Sequence, residues 1–129
     1  MSLVGLTLRN FKSFAESGDV PFAPLTLIFG RNNTGKSSLL QSLFLLRQTL
    51  DAPEYGARLN LRGPLYPAGG YTDLVHQHHS QEHITMQFCI ELAPSRRRVL
   101  IEFEFGPDEP QPPRLIRLKV TTPDLLSLA

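Results

Sequence analysis

Residues Gly30-Arg31-Asn32-Asn33-Thr34-Gly35-Lys36-Ser37 follow the pattern G-x-x-x-x-G-K-[ST], which constrains the local fold more tightly than any other stretch of the chain. The pattern needs a strand that delivers the backbone into a tight turn and a helix that carries it away. Both flanks comply. Leu25-Thr26-Leu27-Ile28-Phe29 is apolar at nearly every position, as suits a strand covered on both faces. Residues 37–50 contain neither glycine nor proline. Within them Leu39, Leu40, Leu43, Phe44, Leu46 and Leu50 recur at helical spacing, with Gln41, Arg47 and Gln48 between. Four of the pattern's eight positions are constrained, so a chance match in a chain of this size is roughly a few in a thousand.

The chemistry follows from the geometry such a loop adopts. Gly30 and Gly35 permit backbone angles and close approaches that a Cβ would block. The N–H groups of the loop, including those of Asn32, Asn33 and Thr34, then point inward as a nest for phosphate oxygens. The helix that starts near Gly35 adds the positive end of its dipole. Lys36 is expected to reach the β- and γ-phosphates of a nucleotide, and the Ser37 hydroxyl to ligate Mg²⁺. Ser38 either contacts a phosphate or only begins the helix.

Length and charge narrow the rest. At 129 residues the chain amounts to one ordinary domain, and 41% hydrophobic residues are enough for a core. A net charge of +1 argues against a strongly basic nucleic-acid surface, though not against a local patch. Charged residues make up 19%, below the roughly 25% of ordinary soluble domains, which hints at surface covered by a partner or by missing chain. Cys89 stands alone, so no internal disulfide forms; its apolar strand context reads as core filling. No apolar run approaches the roughly 20 residues that span a bilayer, and the N-terminus has no signal-peptide layout, so the expected compartment is the cytoplasm, with no membrane partner.

Four segments emerge along the chain. Residues 1–24 read as a β-hairpin: residues 3–8 alternate, Ser17-Gly18-Asp19 signals a turn, and residues 20–22 form a short strand kept to an edge by Pro21 and Pro24. Residues 25–52 are the strand, loop and helix, stopped at Asp51-Ala52-Pro53. Residues 53–83 are a loop-rich insertion, weakly structured up to residue 73, with four glycines and three prolines. Residues 84–122 form an antiparallel meander of three strands, 84–92, 99–105 and 115–120, joined by a turn at Pro94-Ser95-Arg96 and a longer connection at 106–113. The fold class is α/β with α+β character. One strand and helix are only the front of a nucleotide-binding core, and residues 123–129 read as an apolar stub, so the expected fold is incomplete.

Other clusters read as ordinary. His76, His78, His79 and His83 resemble a metal site in composition, but without cysteine and in a surface turn they read as a solvated loop. Arg96, Arg97 and Arg98, with Arg114, Arg117 and Lys119, could face DNA phosphates. Glu102, Glu104, Asp108 and Glu109 lie close enough to cancel them, and a solvated sheet face is the better reading. Phe11 and Phe14 are able to stack on a base; packing behind the loop's strand is the better reading for Phe14.

Leu8-Arg9-Asn10-Phe11-Lys12-Ser13-Phe14, followed by Pro24 through Leu40 with the loop in its midst, resembles the N-terminus of ABC-type ATPases of the SMC/RecF/OLD kind, above all the RecF-like AAA ATPases of bacteria. Leu45-Leu46-Arg47-Gln48-Thr49-Leu50 and Asp73-Leu74-Val75-His76 also have counterparts there, and the likeness covers roughly residues 3–92. The resemblance implies a P-loop ATPase head with an antiparallel β-subdomain, ATP with Mg²⁺ as substrate, and two heads that close on two nucleotides in a head-to-head dimer. It implies coupling to DNA or to an appended nuclease, in DNA repair or phage defence. It carries Lys12 and Ser13 over as phosphate-side contacts, Asn32 as a residue facing the γ-phosphate, and Arg62 as a candidate for the dimer face. One departure matters. Neither a signature motif nor an apolar run ending in Asp-Glu occurs in the 129 residues, so the catalytic groups are expected from the C-terminal remainder of the ATPase or from a separate completing chain. The alternative is a non-catalytic nucleotide-binding module completed by another chain. A P-loop kinase or GTPase fits poorly, since no Asn-Lys-x-Asp element is present.

Overall fold

The three runs of alternating residues in the second half of the chain build the framework. In the computed structural model, the described residues are 2–23, 26, 36–52, 56–78 and 82–122, with the side chains of Lys36 and His78 outside that set. The strand expected at 25–29 (Thr26 excepted), the loop at 30–35 and the segment 123–129 lie outside the described residues. β1 (Ser2–Phe11), β2 (Phe14–Glu16) and β3 (Val20–Pro21) come first. Helix α1 (Lys36–Leu50) and the single-turn α2 (Tyr71–Leu74) follow. β4 (Ile84–Leu92), β5 (Arg97–Asp108) and β6 (Gln111–Thr121) complete the order. The strands form one six-stranded antiparallel sheet in the order β2-β1-β4-β5-β6, with β3 sharing the outer edge of β1 with β2.

Register makes the sheet two-faced. Leu6 opposes Phe88 and Leu8 opposes Met86. Phe88 opposes Ile101, Phe103 opposes Leu118, and Ile84 opposes Phe105. Because paired residues point to the same side and the pattern repeats every second residue, one face is apolar throughout. The other carries Arg9, Gln87, Glu91, Glu102, Glu104, Arg117 and Lys119. There Arg9 and Arg117 both lie 3.9 Å from Glu102, and Arg98 lies 3.6 Å from Glu91. Of the basic residues named for this face, Arg117 pairs with Glu102 as expected and Arg98 pairs instead with Glu91. Cys89 sits on this polar face, half-buried opposite Gly5, whose missing side chain leaves it room. The core-filling reading of Cys89 is therefore corrected: one step of register from Phe88 turns it away from the apolar side.

Helix α1 lays Leu45, with Leu39, Leu43 and Leu46, onto the apolar face and buries Leu6, Leu8, Phe11, Met86 and Phe105 beneath it. Phe88 meets Phe103 edge-on with centroids 6.0 Å apart. Phe11 is fully buried, and Phe14 packs against the same cluster, so packing rather than base stacking describes both rings.

Three expectations change in detail. β1 runs on to Phe11, because β2 folds back on its end and pairs Phe11 with Phe14. The connection expected at 106–113 is instead a tight turn: Asp108 pairs with Gln111, and bulges beside Phe105 and Gly106 absorb the irregular residues. Pro112 and Pro113 are tolerated because they fall at the irregularity between the Gly106–Arg114 and Asp108–Gln111 pairs, outside the regular ladder with β5. Much of the insertion, finally, is firmly held. Residues 57–59 run beside the start of β6, with Leu59 N–H donating to Pro113 C=O and Leu115 N–H to Ala57 C=O. Arg58 reaches Asp108 at 2.7 Å, and Leu59, Asn60 and Leu61 are buried.

Candidate functional site

The turn that leaves β1 is strained. Asn10 and Lys12 both lie in the left-handed region, at φ 54° and φ 52°. Asparagine tolerates this through its short polar side chain; for lysine it costs on the order of 1–2 kcal/mol. Such a conformation persists only where its surroundings over-determine it, and here they do. Lys12 N–H donates to Leu74 C=O at 2.7 Å. His76 Nδ1 lies 2.8 Å from Lys12 C=O, and since a carbonyl only accepts, Nδ1 carries the proton. The buried Asn10 side chain accepts from His76 N–H at 3.2 Å and donates to His83 C=O at 3.3 Å. α2 and the 3₁₀ turn at His76–His78 thus clamp the Asn10–Ser13 turn from behind. His76 is half-buried and bonded, which corrects the solvated-loop reading for that residue. Among the described residues no cluster of three metal-ligating side chains occurs.

From the front, helix α1 holds the same turn. Ser38, 4% exposed in the first turn of α1, donates from Oγ to Ser13 Oγ at 3.1 Å and accepts from Ser13 N–H at 3.3 Å. Lys12 and Ser13, distant from the glycine-rich loop in sequence, are thereby brought against the start of the helix that follows that loop. Ser37 is exposed at the same helix end, and no acidic residue occupies the first turn. A helix of 15 residues with no carboxylate at its start keeps its positive end available to an anion. Gly30, Asn32, Asn33, Thr34 and Gly35 lie outside the described residues, as does the side chain of Lys36.

The lysine side chain has its own seat. Lys12 Nζ lies 5.4 Å from the centroid of the Tyr66 ring, within cation–π range. Tyr66 is itself fixed to α1. The side chain of Gln48, 1% exposed, accepts from Tyr66 N–H at 2.8 Å and donates to Tyr66 C=O and Asn60 C=O, both at 2.6 Å. Gly63 makes this possible, because a Cβ there would fall 2.5 Å from Gln48 Cδ. Tyr66, Gln48, Asn10 and His76 were missed as site residues by sequence reasoning, although Asn10, Gln48 and His76 lie in stretches shared with the resembling family. Arg62 is exposed, bridged to Pro67, and its N–H donates to Asn60 Oδ1.

Below the turn, Tyr71 of α2 is 3% exposed, and its hydroxyl donates to Glu82 C=O at 2.5 Å. Burial raises its pKa to about 12, with the backbone at Ile84 pulling the other way and Glu82 adding to the rise.

A family model described as AAA ATPase domain matches residues 1–104. A search among curated proteins finds no match. The matched span takes in the clamped turn, α1, the insertion and most of the sheet, and it agrees with the resemblance to the N-terminal part of SMC/RecF/OLD-type ATPases. The chain belongs to the AAA ATPase domain family.

Proposed function

We propose that the chain binds ATP with Mg²⁺ at the start of α1 and serves as the N-terminal part of an ABC-type head of the SMC/RecF/OLD kind. Family membership supports a nucleotide-binding domain of the ATPase type. The observation that carries the finer reading is the strained Lys12–Ser13 turn, held by Ser38 against the first turn of α1, which Lys36 and Ser37 begin. A lysine–serine turn fastened to the first turn of a carboxylate-free helix suits a polyphosphate ligand.

In this reading Lys36 and Lys12 supply charge to the phosphates. Main-chain N–H groups of Gly30 to Gly35, with Asn32 toward the γ-phosphate, cradle them, and the Ser37 hydroxyl is a Mg²⁺ ligand. Each would bind and orient; the metal supplies charge neutralisation at the phosphoryl oxygens when present. Hydrolysis needs groups from a completing segment or chain and a head-to-head partner, and DNA or a nuclease is the coupled element. The cytoplasm is the proposed compartment; among the described residues no helix is long and apolar enough to cross a membrane.

Calorimetric titration with ATP and Mg²⁺ tests the reading. Lys36→Ala should remove most of the affinity, since a charge-assisted phosphate contact is worth about 2–3 kcal/mol. Unchanged binding by that variant sinks the assignment.

A further inference from the structure

The second half of β6 is open on both faces and along its outer edge. Ile116 to Val120 are all exposed, where a strand covered on one face would alternate. Over this stretch β6 pairs, among the described residues, only with β5. A few residues earlier the same outer edge already accepts a neighbour. Arg58 bridges Arg114 in the antiparallel sense, Leu115 N–H donates to Ala57 C=O, and Leu59 N–H donates to Pro113 C=O. A chain laid in line with residues 57–59 continues along Ile116 to Thr121, about 20 Å of strand.

The charge of the edge selects the occupant. β6 carries Arg114, Arg117 and Lys119 and no acidic residue. The carboxylates beside it on β5 are already engaged. Glu102 lies 3.9 Å from both Arg9 and Arg117, Glu104 pairs with His83, and Asp108 pairs with Arg58. Lys119 opposes Glu102 in register but forms no ion pair among the described residues. A second copy of this chain is the poorer occupant. Antiparallel self-pairing over the open stretch sets Arg117 against Lys119, or one of them against itself, and like charges directly opposite destabilise a ladder. We infer that the outer edge of β6, from Ile116 to Thr121, accepts an extended segment of a partner protein in which acidic and apolar residues alternate. Its carboxylates lie beside Arg117 and Lys119, and its apolar side chains beside Leu118 and Val120 on the opposite face. The inference stands apart from the nucleotide reading, since it uses no residue of that site.

Fluorescence anisotropy tests it, with the intact chain held at concentrations where it is monomeric and a labelled peptide of about eight residues alternating glutamate with valine. Lysine in place of glutamate should weaken binding about tenfold or more, because two cross-strand pairs turn from attractive to repulsive. Proline in place of valine keeps the charge but removes ladder donors, and should abolish binding. Lys119→Gln should weaken binding of the glutamate–valine peptide about threefold. Amide hydrogen exchange should slow within residues 116–121 when that peptide is added. No binding of the glutamate–valine peptide, equal binding of the lysine or proline peptide, wild-type affinity in Lys119→Gln, or exchange that slows only elsewhere overturns the proposal. The peptide series leaves the protein unaltered, so it decides the matter even where Lys119→Gln disturbs the sheet.

Discussion

Gln48 illustrates how much a single buried amide holds in this protein. It satisfies three backbone groups of the insertion that otherwise have no regular ladder to join: the C=O of Asn60 and both the N–H and C=O of Tyr66. Asn60 returns the favour by donating from Nδ2 to Gln48 C=O, and its N–H reaches Thr49 Oγ1. Gln48→Ala strands those groups away from water, so the expected loss is about 2–4 kcal/mol of folding stability in urea titrations. A loss within ~0.5 kcal/mol, the range of ordinary surface changes, would show the insertion to be held by other means. Tyr71 gives a second test at this scale. Its folded pKa of about 12 stands above the ordinary 10.0, so the hydroxyl gives up its proton later in the folded chain than in the unfolded one. The unfolded state then binds fewer protons between pH 10 and 12, and stability falls as pH rises through that window while remaining whole below it. Tyr71→Phe should lose this part of the alkaline slope, read by thermal unfolding from pH 9 upward in both proteins. An identical slope in the variant would mean that Tyr71 is not the group responsible.

At the level of elements, β6 is the exposed flank. Its first residues are covered by residues 57–59, but from Ile116 onward, among the described residues, it pairs only with β5. On its apolar side Leu118 and Val120 remain 54% and 60% exposed. A long edge strand with apolar side chains invites pairing with another chain. Leu118→Lys with Val120→Lys should therefore reduce concentration-dependent association in sedimentation or light scattering while leaving the sheet folded. Association that persists unchanged would place its cause elsewhere. The three strands of the meander were legible in sequence because their alternation is local: Ile84, Met86 and Phe88 report their face two residues at a time. The turn between β5 and β6 was not, because Pro107, Pro110, Pro112 and Pro113 read as a loop until the bulges excuse them.

For the whole molecule, ligand and stability are linked. A nucleotide that binds only the folded chain stabilises it by about 2.7 kcal/mol at one hundred times its Kd. ATP with Mg²⁺ should thus raise the unfolding temperature of the wild-type protein by several degrees, and Lys36→Ala should flatten the response. A rise of equal size in that variant would point to a site away from the helix start. The chain by itself made α1 and the three strands of the meander legible, since hydrophobic period and helix composition are properties of neighbouring residues, and its glycine-lysine-serine stretch carried the expectation of a nucleotide. Only tertiary structure decided that the Tyr66 ring and the His76 clamp converge on the left-handed Lys12 turn. Those contacts join residues up to 66 positions apart through backbone carbonyls and a π-face, groups common to so many residues that no local pattern marks which ones will meet.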